Sequence, residues 1–436
     1  MANKAEPDKQ SEIKEFTIQA AKDGGRRVDI RGGLSSFSYY ETILSNIVTA
    51  QFQVLDSGNT IKKDGRTVSI VEGLPIRGGE KISWNILDPN RNPLKMELYL
   101  NKLMNLDQSS TTDLFDVSCA SKEFFANEMT RVVKRYDGKI SESVTKILKD
   151  VLKADIAPNG IEETSNSYNF IGNDKKPLYM ATWLGTKSIP TEAYGETAGF
   201  FLYQNQDGMY FKSVDGLLKQ EPKKRYIHTS SVTQGESDVG YDGKILSYDL
   251  NRTVDLQHNL MMGVYNNRTL YFNPYSFVYT HKDFNITEQG AVKHAGTDDK
   301  RDWDFIAPEF TQSTTRLMTS ILDVGTIPTG KDAKAQLQAW VDDKDGTNDK
   351  VMERMVQSVM RYNQLFSVTT SITIGGDFSL KAGDMIACDF PRVSGKPEID
   401  KKSSGNYLIA NLCHYMTPTH TYTQLGLIRD SYGRKL

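Results

Sequence analysis

Apolar and polar residues alternate with period two over much of the first third of the chain, the pattern of half-buried β-strands. Phe16 and Ile18 alternate with polar neighbours, as do Val28 and Ile30, and residues 47–55 form a longer run that ends in the turn at Asp56 to Gly58. Residues 69–71, 81–87, 95–103 and 114–120 continue it. About seven short strands in roughly a hundred residues predict a small barrel or sandwich. Residues 1–14, polar and lysine-rich, read as a mobile tail, with order starting near Phe16.

The period then lengthens. Ile140, Val144, Ile147, Leu148, Val151 and Leu152 recur at three and four, predicting an amphipathic helix capped by Ser141. Residues 178–184 read as a second short helix. Residues 199–203 and 209–213 form a hairpin closed at Asp207 and Gly208. A middle α+β domain is expected over 119–226.

Strand signals return at 244–250, 260–265 and 269–279, whereas 286–349 is polar and weakly patterned and reads as an insertion or long arm. A helix follows over 349–365, its face marked by Met352, Met355, Val356, Val359 and Met360, the composition of a core-packing surface. Next, Phe366, Val368, Ile372 and Ile374 lie opposite Ser367, Thr369, Ser371 and Thr373, so one face of this strand is buried and the other wet. After the turn at Gly375 and Gly376 come a strand over 384–390 and a closing hairpin, 407–416 with 421–429, turning at residues 417–419.

Within this order one segment recurs. Residues 76–86 (IRGGEKISWNI) and 380–390 (LKAGDMIACDF) both place an apolar residue and a cation before a glycine turn, then a carboxylate, then a strand. One β unit used twice is the simplest reading.

Composition narrows the class. The 436 residues exceed one ordinary core and predict two to four domains. Net charge is -2, from 53 basic and 55 acidic residues, so no global field recruits nucleic acid or anionic membrane. Cys119, Cys388 and Cys413 are few and widely spaced, fitting free thiols in a reducing compartment. No signal peptide is evident, and no apolar stretch approaches the roughly eighteen residues of a membrane span. Tyrosine (21), phenylalanine (18) and glycine (33) are plentiful, and Asp-Gly steps recur at Asp64, Asp137, Asp207, Asp215, Asp242 and Asp345, a turn-rich, β-dominated composition.

Sites of chemistry are sparse. The Gly-Lys pairs at Gly138, Gly243, Gly330 and Gly395 lack the serine or threonine and the spacing of a phosphate loop. There is no Gly-x-Ser-x-Gly elbow and no His-Glu-x-x-His helix. Asp343 and Asp345 superficially match an EF-hand loop, but Val341 and Met352 occupy its first and last ligand positions. Cys413 and His414 are strand neighbours that point to opposite faces, so with His420 they make no converging zinc set. The pairs Asp298 with Asp299 and Asp342 with Asp343 sit in polar runs and read as solvated charge. No catalytic, cofactor-binding or metal-ligating residue is assigned.

Several segments in order resemble the baseplate hub proteins of contractile-tailed phages. They are the strand ending at Gln53 to Asp56, the stretch Leu74 to Glu80, the step Arg135 to Gly138 before a helix, and the hairpin Phe201 to Gly208. At the C-terminal end they are Leu380 to Asp384, Ser404 to Ile409, and His414. The likeness spans residues 15–430. It implies a mainly β chain with α+β parts: two related antiparallel β-barrel tube domains, an α+β middle domain and a long insertion. The barrels would be 15–118 and, split, 227–264 with 350–430. The middle domain would be 119–226, the insertion 265–349, and the C-terminal tail 431–436.

In such hubs three subunits place six barrels in a ring between a sixfold tail tube and a threefold spike. The resemblance therefore implies a homotrimer in the virion tail baseplate, assembled in the host cytoplasm, and no enzyme or cofactor. Its partners would be tube or adaptor proteins above, a separate spike below, and tape-measure protein and DNA in transit. Type VI secretion spike proteins share the hub but run on into a β-helical needle. This chain stops at Leu436, so the needle is expected to be another polypeptide. Two competing readings are a carbohydrate- or cell-wall-active enzyme, with Trp84, Trp183, Trp303 and Trp340 lining a cleft, and a receptor-binding tail protein.

Overall fold

The computed structural model describes residues 10–431 apart from 22–24, 59–60, 64, 75, 110, 196, 229–242, 252–254, 287–294, 296–305, 328–329, 331, 342–348 and 393–398. The first residues of the tail expected over 1–14, the Asp-Gly steps at Asp64, Asp242 and Asp345, and the pairs at Asp298 and Asp342 lie outside the described residues, as do the side chains of Met352, Met355 and Val356.

The chain is mainly β and dominated by antiparallel pairing. Its largest sheet has 13 strands, in which residues from both ends of the chain meet. The N-terminal part runs from Leu34–Thr42 through Thr49–Asp56, Asp113–Ala120, Pro93–Gln108 and Lys81–Leu87 to Glu12–Gln19, with Arg27–Asp29 at the edge. The C-terminal part runs from Ile245–Asn251 through Val368–Gly375, Thr421–Arg429, Gly405–Met416 and Met385–Asp389 to Arg225–Ile227. The two meet where 411–416 pair with 37–42.

Alternation explains the core. Phe37 and Phe52 come from one pair of adjacent strands and Trp84 and Phe16 from another; all four are buried, with Phe16 stacked on Trp84 at 5.8 Å and edge-on to Phe52 at 4.9 Å. Val368, Thr370, Ile372 and Ile374 are buried in the C-terminal part while Ser371 is exposed, as the period-two pattern requires.

Between the two parts in chain order comes a smaller α+β layer. The helix Ile140–Lys146 continues into a wider turn, Ile147–Leu152, that Lys153 ends in a left-handed conformation (φ 54°). Its apolar face packs with the helix Pro177–Gly185 and with a three-stranded sheet of Ile156–Ile161, Gly208–Ser213 and Phe200–Asn205. A separate three-stranded sheet, Tyr279–Asn285, Asn266–Phe272 and Arg316–Ile321, occupies the region read as an arm, with Trp340 of the helix Ala333–Val341 buried beneath Tyr275.

Several local expectations are corrected. The strand starts at Glu12, ahead of Phe16. Leu34–Thr42 is a strand that alternation hides, because a bulge between Leu34 and Ser36 resets the period and the buried Glu41 reads as surface. Residues 70–73 are a helical turn, since the Ser69 side chain accepts from Glu72 N–H. The first half of the expected strand over 260–265 belongs to the helix Leu256–Met262, capped by Asp255 at one end and by Gly263 (φ 69°) at the other, and the rest is turn. The run 269–279 is two strands joined by a turn. Ser141 is not the cap; it sits inside the first turn, where its hydroxyl and N–H face Thr164. Phe366 precedes its strand, half-exposed in a turn.

Candidate functional site

The two recurring segments fold alike down to individual backbone bonds. In the first, Arg77 and Gly78 donate their N–H groups to the Glu80 carboxylate at 2.8 and 2.9 Å; in the second, Lys381 donates to the Asp384 carboxylate at 2.9 Å. Gly79 (φ 85°) and Gly383 (φ 91°) both turn the chain through the left-handed region. Gly79 N–H reaches Leu100 O and Leu100 N–H returns to Glu80 O, while Gly383 N–H reaches Ile409 O and Ile409 N–H returns to Asp384 O.

The register extends this equivalence outward. Leu100 pairs with Cys119 and a bulge follows; Ile409 pairs with Leu427 and a bulge follows. Cys119 pairs with Ala50, and Leu427 with Thr370. Ala50 pairs with Tyr39, and Thr370 with Leu250. Even the bulge between Leu34 and Ser36 has its counterpart between Ile245 and Ser247. One difference stands out: Glu12–Gln19 lies antiparallel to Lys81–Leu87, but Arg225–Ile227 lies parallel to Met385–Asp389.

The surroundings of the two corners differ more. Residues 77–79 of the first are exposed. The second is clamped: Glu41 accepts from Ala382 N–H at 2.8 Å and from Gln206 N–H at 2.7 Å, Tyr39 Oη donates to it at 2.8 Å, and Lys381 bridges to Asp207 at 2.6 Å. Burial raises the Glu41 carboxyl to about 7 against these hydrogen bonds. His414 stands beside the clamp, stacked on Tyr39 at 6.1 Å and bonded to Thr423 Oγ1 at 2.9 Å; burial pushes its imidazole down to about 3.

A cavity of about 340 Å³ lies between the hairpin and the second corner, walled by Tyr203, Tyr210, Asp207, Lys223, Lys381 and Asp384 among others. Lys223 is bridged to Asp384 and Lys381 to Asp207. Its charges thus knit two layers together.

A second buried network ties the long helix down. Arg361 donates to Asp215 at 2.9 Å and to Asp430 at 2.7 Å, all fully buried. Sequence reasoning placed Asp215 in a turn, but it lies within the helix Val214–Leu218. At helical spacing Arg361 neighbours Gln357, Ser358 and Gln364, so no local pattern marked it as buried. Nothing local marked Glu41.

The candidate chemistry does not gather. Trp84, Trp183 and Trp340 are packed in three different apolar clusters, and Trp303 lies outside the described residues. Cys413 is half-buried, His414 buried and His420 in an exposed turn. Among the described residues no three His, Cys, Asp or Glu side chains form a group that could hold a metal ion.

No family model matches the chain, and no curated protein does. Solved structures do. The 43 kDa tail protein of prophage MuSo2 from Shewanella oneidensis aligns over 96% of this chain and 98% of its own, with a TM-score of 0.51 at 9% sequence identity. The fold is that of a phage tail protein. A tail protein from Neisseria meningitidis MC58 aligns as well, over 97% of both chains, with a TM-score of 0.51 at 9% identity. The tail-protein fold therefore extends over essentially the whole chain, including the region read as an arm.

Proposed function

We propose that the chain is the structural hub of a phage tail baseplate. The observation that carries this reading is the repeated register. One chain holds two equivalent β units side by side, so three chains can present six such units to a sixfold tube and three chain-specific surfaces to a spike. In this proposal each unit is a tube-like barrel, the first over 15–118 and the second split between 227–264 and 350–430. The middle domain is 119–226 and the insertion 265–349.

The hub acts by shape. Tube or adaptor proteins bind above and a separate spike binds below, while tape-measure protein and then DNA pass through the ring. The exposed faces of equivalent strands support a passage. Gln51 and Gln53 stand where Ser371 and Thr373 stand in the second unit, and these uncharged polar groups give DNA no cationic hold. Assembly takes place in the host cytoplasm, and the finished position is the tail axis. No helix among the described residues is long and apolar enough to cross a membrane.

The decisive measurement is the native mass of the purified chain together with its rotational order in images of intact tails. Three copies in a ring on the axis are expected; a monomer in solution with no axial ring overturns the proposal.

A further inference from the structure

The seam inside one chain is a template for a seam between chains. Strand Gly405–Met416 pairs through its first residues with Met385–Asp389; past its bulge, residues 411–416 turn onto Leu34–Thr42. Its counterpart, Pro93–Gln108, begins in the same way. Residues 93–99 pair with Lys81–Leu87, a bulge follows, and residues 102–108 run beside 113–118. On the other side of 102–108, however, no described strand is paired.

The matching half of the seam is open too. The counterpart of Leu34–Thr42 is Ile245–Asn251, which among the described strands pairs with Val368–Gly375 alone. Each chain thus closes one seam internally and carries both halves of a second, on two different strands.

Side-chain burial tells the occupied seam from the empty one. Leu412 and His414 are buried at 2% exposure in the closed seam, whereas their counterparts on the open strand, Leu103 and Asn105, are half-buried and exposed, and Met104 and Leu106 beside them are 39% and 49% exposed. Across the seam, Phe37 and Tyr39 are fully buried, while their counterparts Tyr248 and Leu250 are only half-buried. An unpaired edge with exposed apolar side chains is a template for strand addition.

We propose that residues 104–107 of one copy pair antiparallel with residues 248–251 of the next, in the register of the internal seam. Cys413 opposite Tyr40 becomes Met104 opposite Asn251, and His414 opposite Tyr39 becomes Asn105 opposite Leu250. The occupant is a second copy of this chain, because the two open edges are the missing halves of one seam already formed within it. Such a contact is head-to-tail, and it closes into a ring when the rotation per copy permits. The inference rests on the annular assembly proposed above and names the strands that build it.

The test is disulfide trapping in the full chain carrying Met104→Cys and Asn251→Cys. Directly opposed residues of an antiparallel pair lie within disulfide reach, whereas a pair shifted by two residues lies about 7–8 Å apart. Under mild oxidation the double variant is expected to form covalent oligomers that a reductant dissolves, at least tenfold more than either single variant. Those single variants also report any contribution from Cys413. The shifted pair, Met104→Cys with Asp249→Cys, is expected to trap at single-variant levels. Equal trapping by the shifted pair overturns the register. An oligomer by native mass without trapping overturns this interface and leaves the ring standing. A monomer by mass that does not trap overturns both.

Discussion

Glu41 and Ala382, far apart in sequence, are joined by a 2.8 Å hydrogen bond from the Ala382 N–H to the Glu41 carboxylate. It fastens a strand of the first β unit to the glycine corner of the second. Because Glu41 also accepts from Gln206 and Tyr39, the same carboxylate holds the hairpin of the middle layer.

Glu41 makes stability depend on pH in a definite direction. Burial raises its folded pKa to about 7 from an ordinary value of 4.5, so the folded state binds its proton more tightly than the unfolded state. Its contribution is full below about 4.5 and falls as pH rises to about 7, on the order of 3 kcal/mol across the window. Glu41→Gln is expected to remove that loss. Urea unfolding at pH 5 and 7.5 checks it; an unchanged pH response in the variant refutes the assignment.

His414 tilts the profile the other way. Its folded pKa lies near 3, below the ordinary 6.5, so its contribution is full above about 6.5 and is lost as pH falls towards 3. Between 4.5 and 6.5 the two neighbours oppose each other, flattening the wild-type profile. His414→Phe is expected to make stability decline with rising pH there, and Glu41→Gln to make it increase. Slopes of the same sign in both variants would contradict this.

The corner glycines separate backbone strain from contact. Gly79→Ala places a side chain at φ 85° with nothing within 4 Å, a cost of roughly 1–2 kcal/mol. Gly383→Ala carries similar strain, and its Cβ would also meet the Tyr203 hydroxyl at 2.4 Å. The second variant should have a clearly lower melting temperature than the first; equal melting temperatures would mean that Tyr203 yields freely.

Arg361 bridges two buried carboxylates, Asp215 and Asp430, and its replacement by methionine leaves both without the guanidinium. A loss of about 3–5 kcal/mol is expected for breaking such a buried pair. Urea titration measures it, and a loss under about 1 kcal/mol would show that water replaces the guanidinium.

The sequence by itself determined the elements whose signal is local. Lys81–Leu87 was legible to the residue, the closing hairpin and the helix Asp349–Leu365 nearly so, because alternation, helical period and turn residues act over a few positions. The recurrence at Ile76 and Leu380 was legible for the same reason, since a left-handed glycine followed by a carboxylate is dictated by the corner itself. Leu34–Thr42 was not, because its bulge and its buried Glu41 have meaning only against partners distant in the chain. Nor was the helix Leu256–Met262, where an Asp255 cap outweighed strand-like composition. Only the tertiary structure decided which edges pair. A strand's own residues fix which face is apolar, but backbone N–H and C=O groups are alike at every position, so the choice of neighbour falls to the packing of the whole chain. That choice closes one seam at Leu34–Thr42 and leaves its equivalent open.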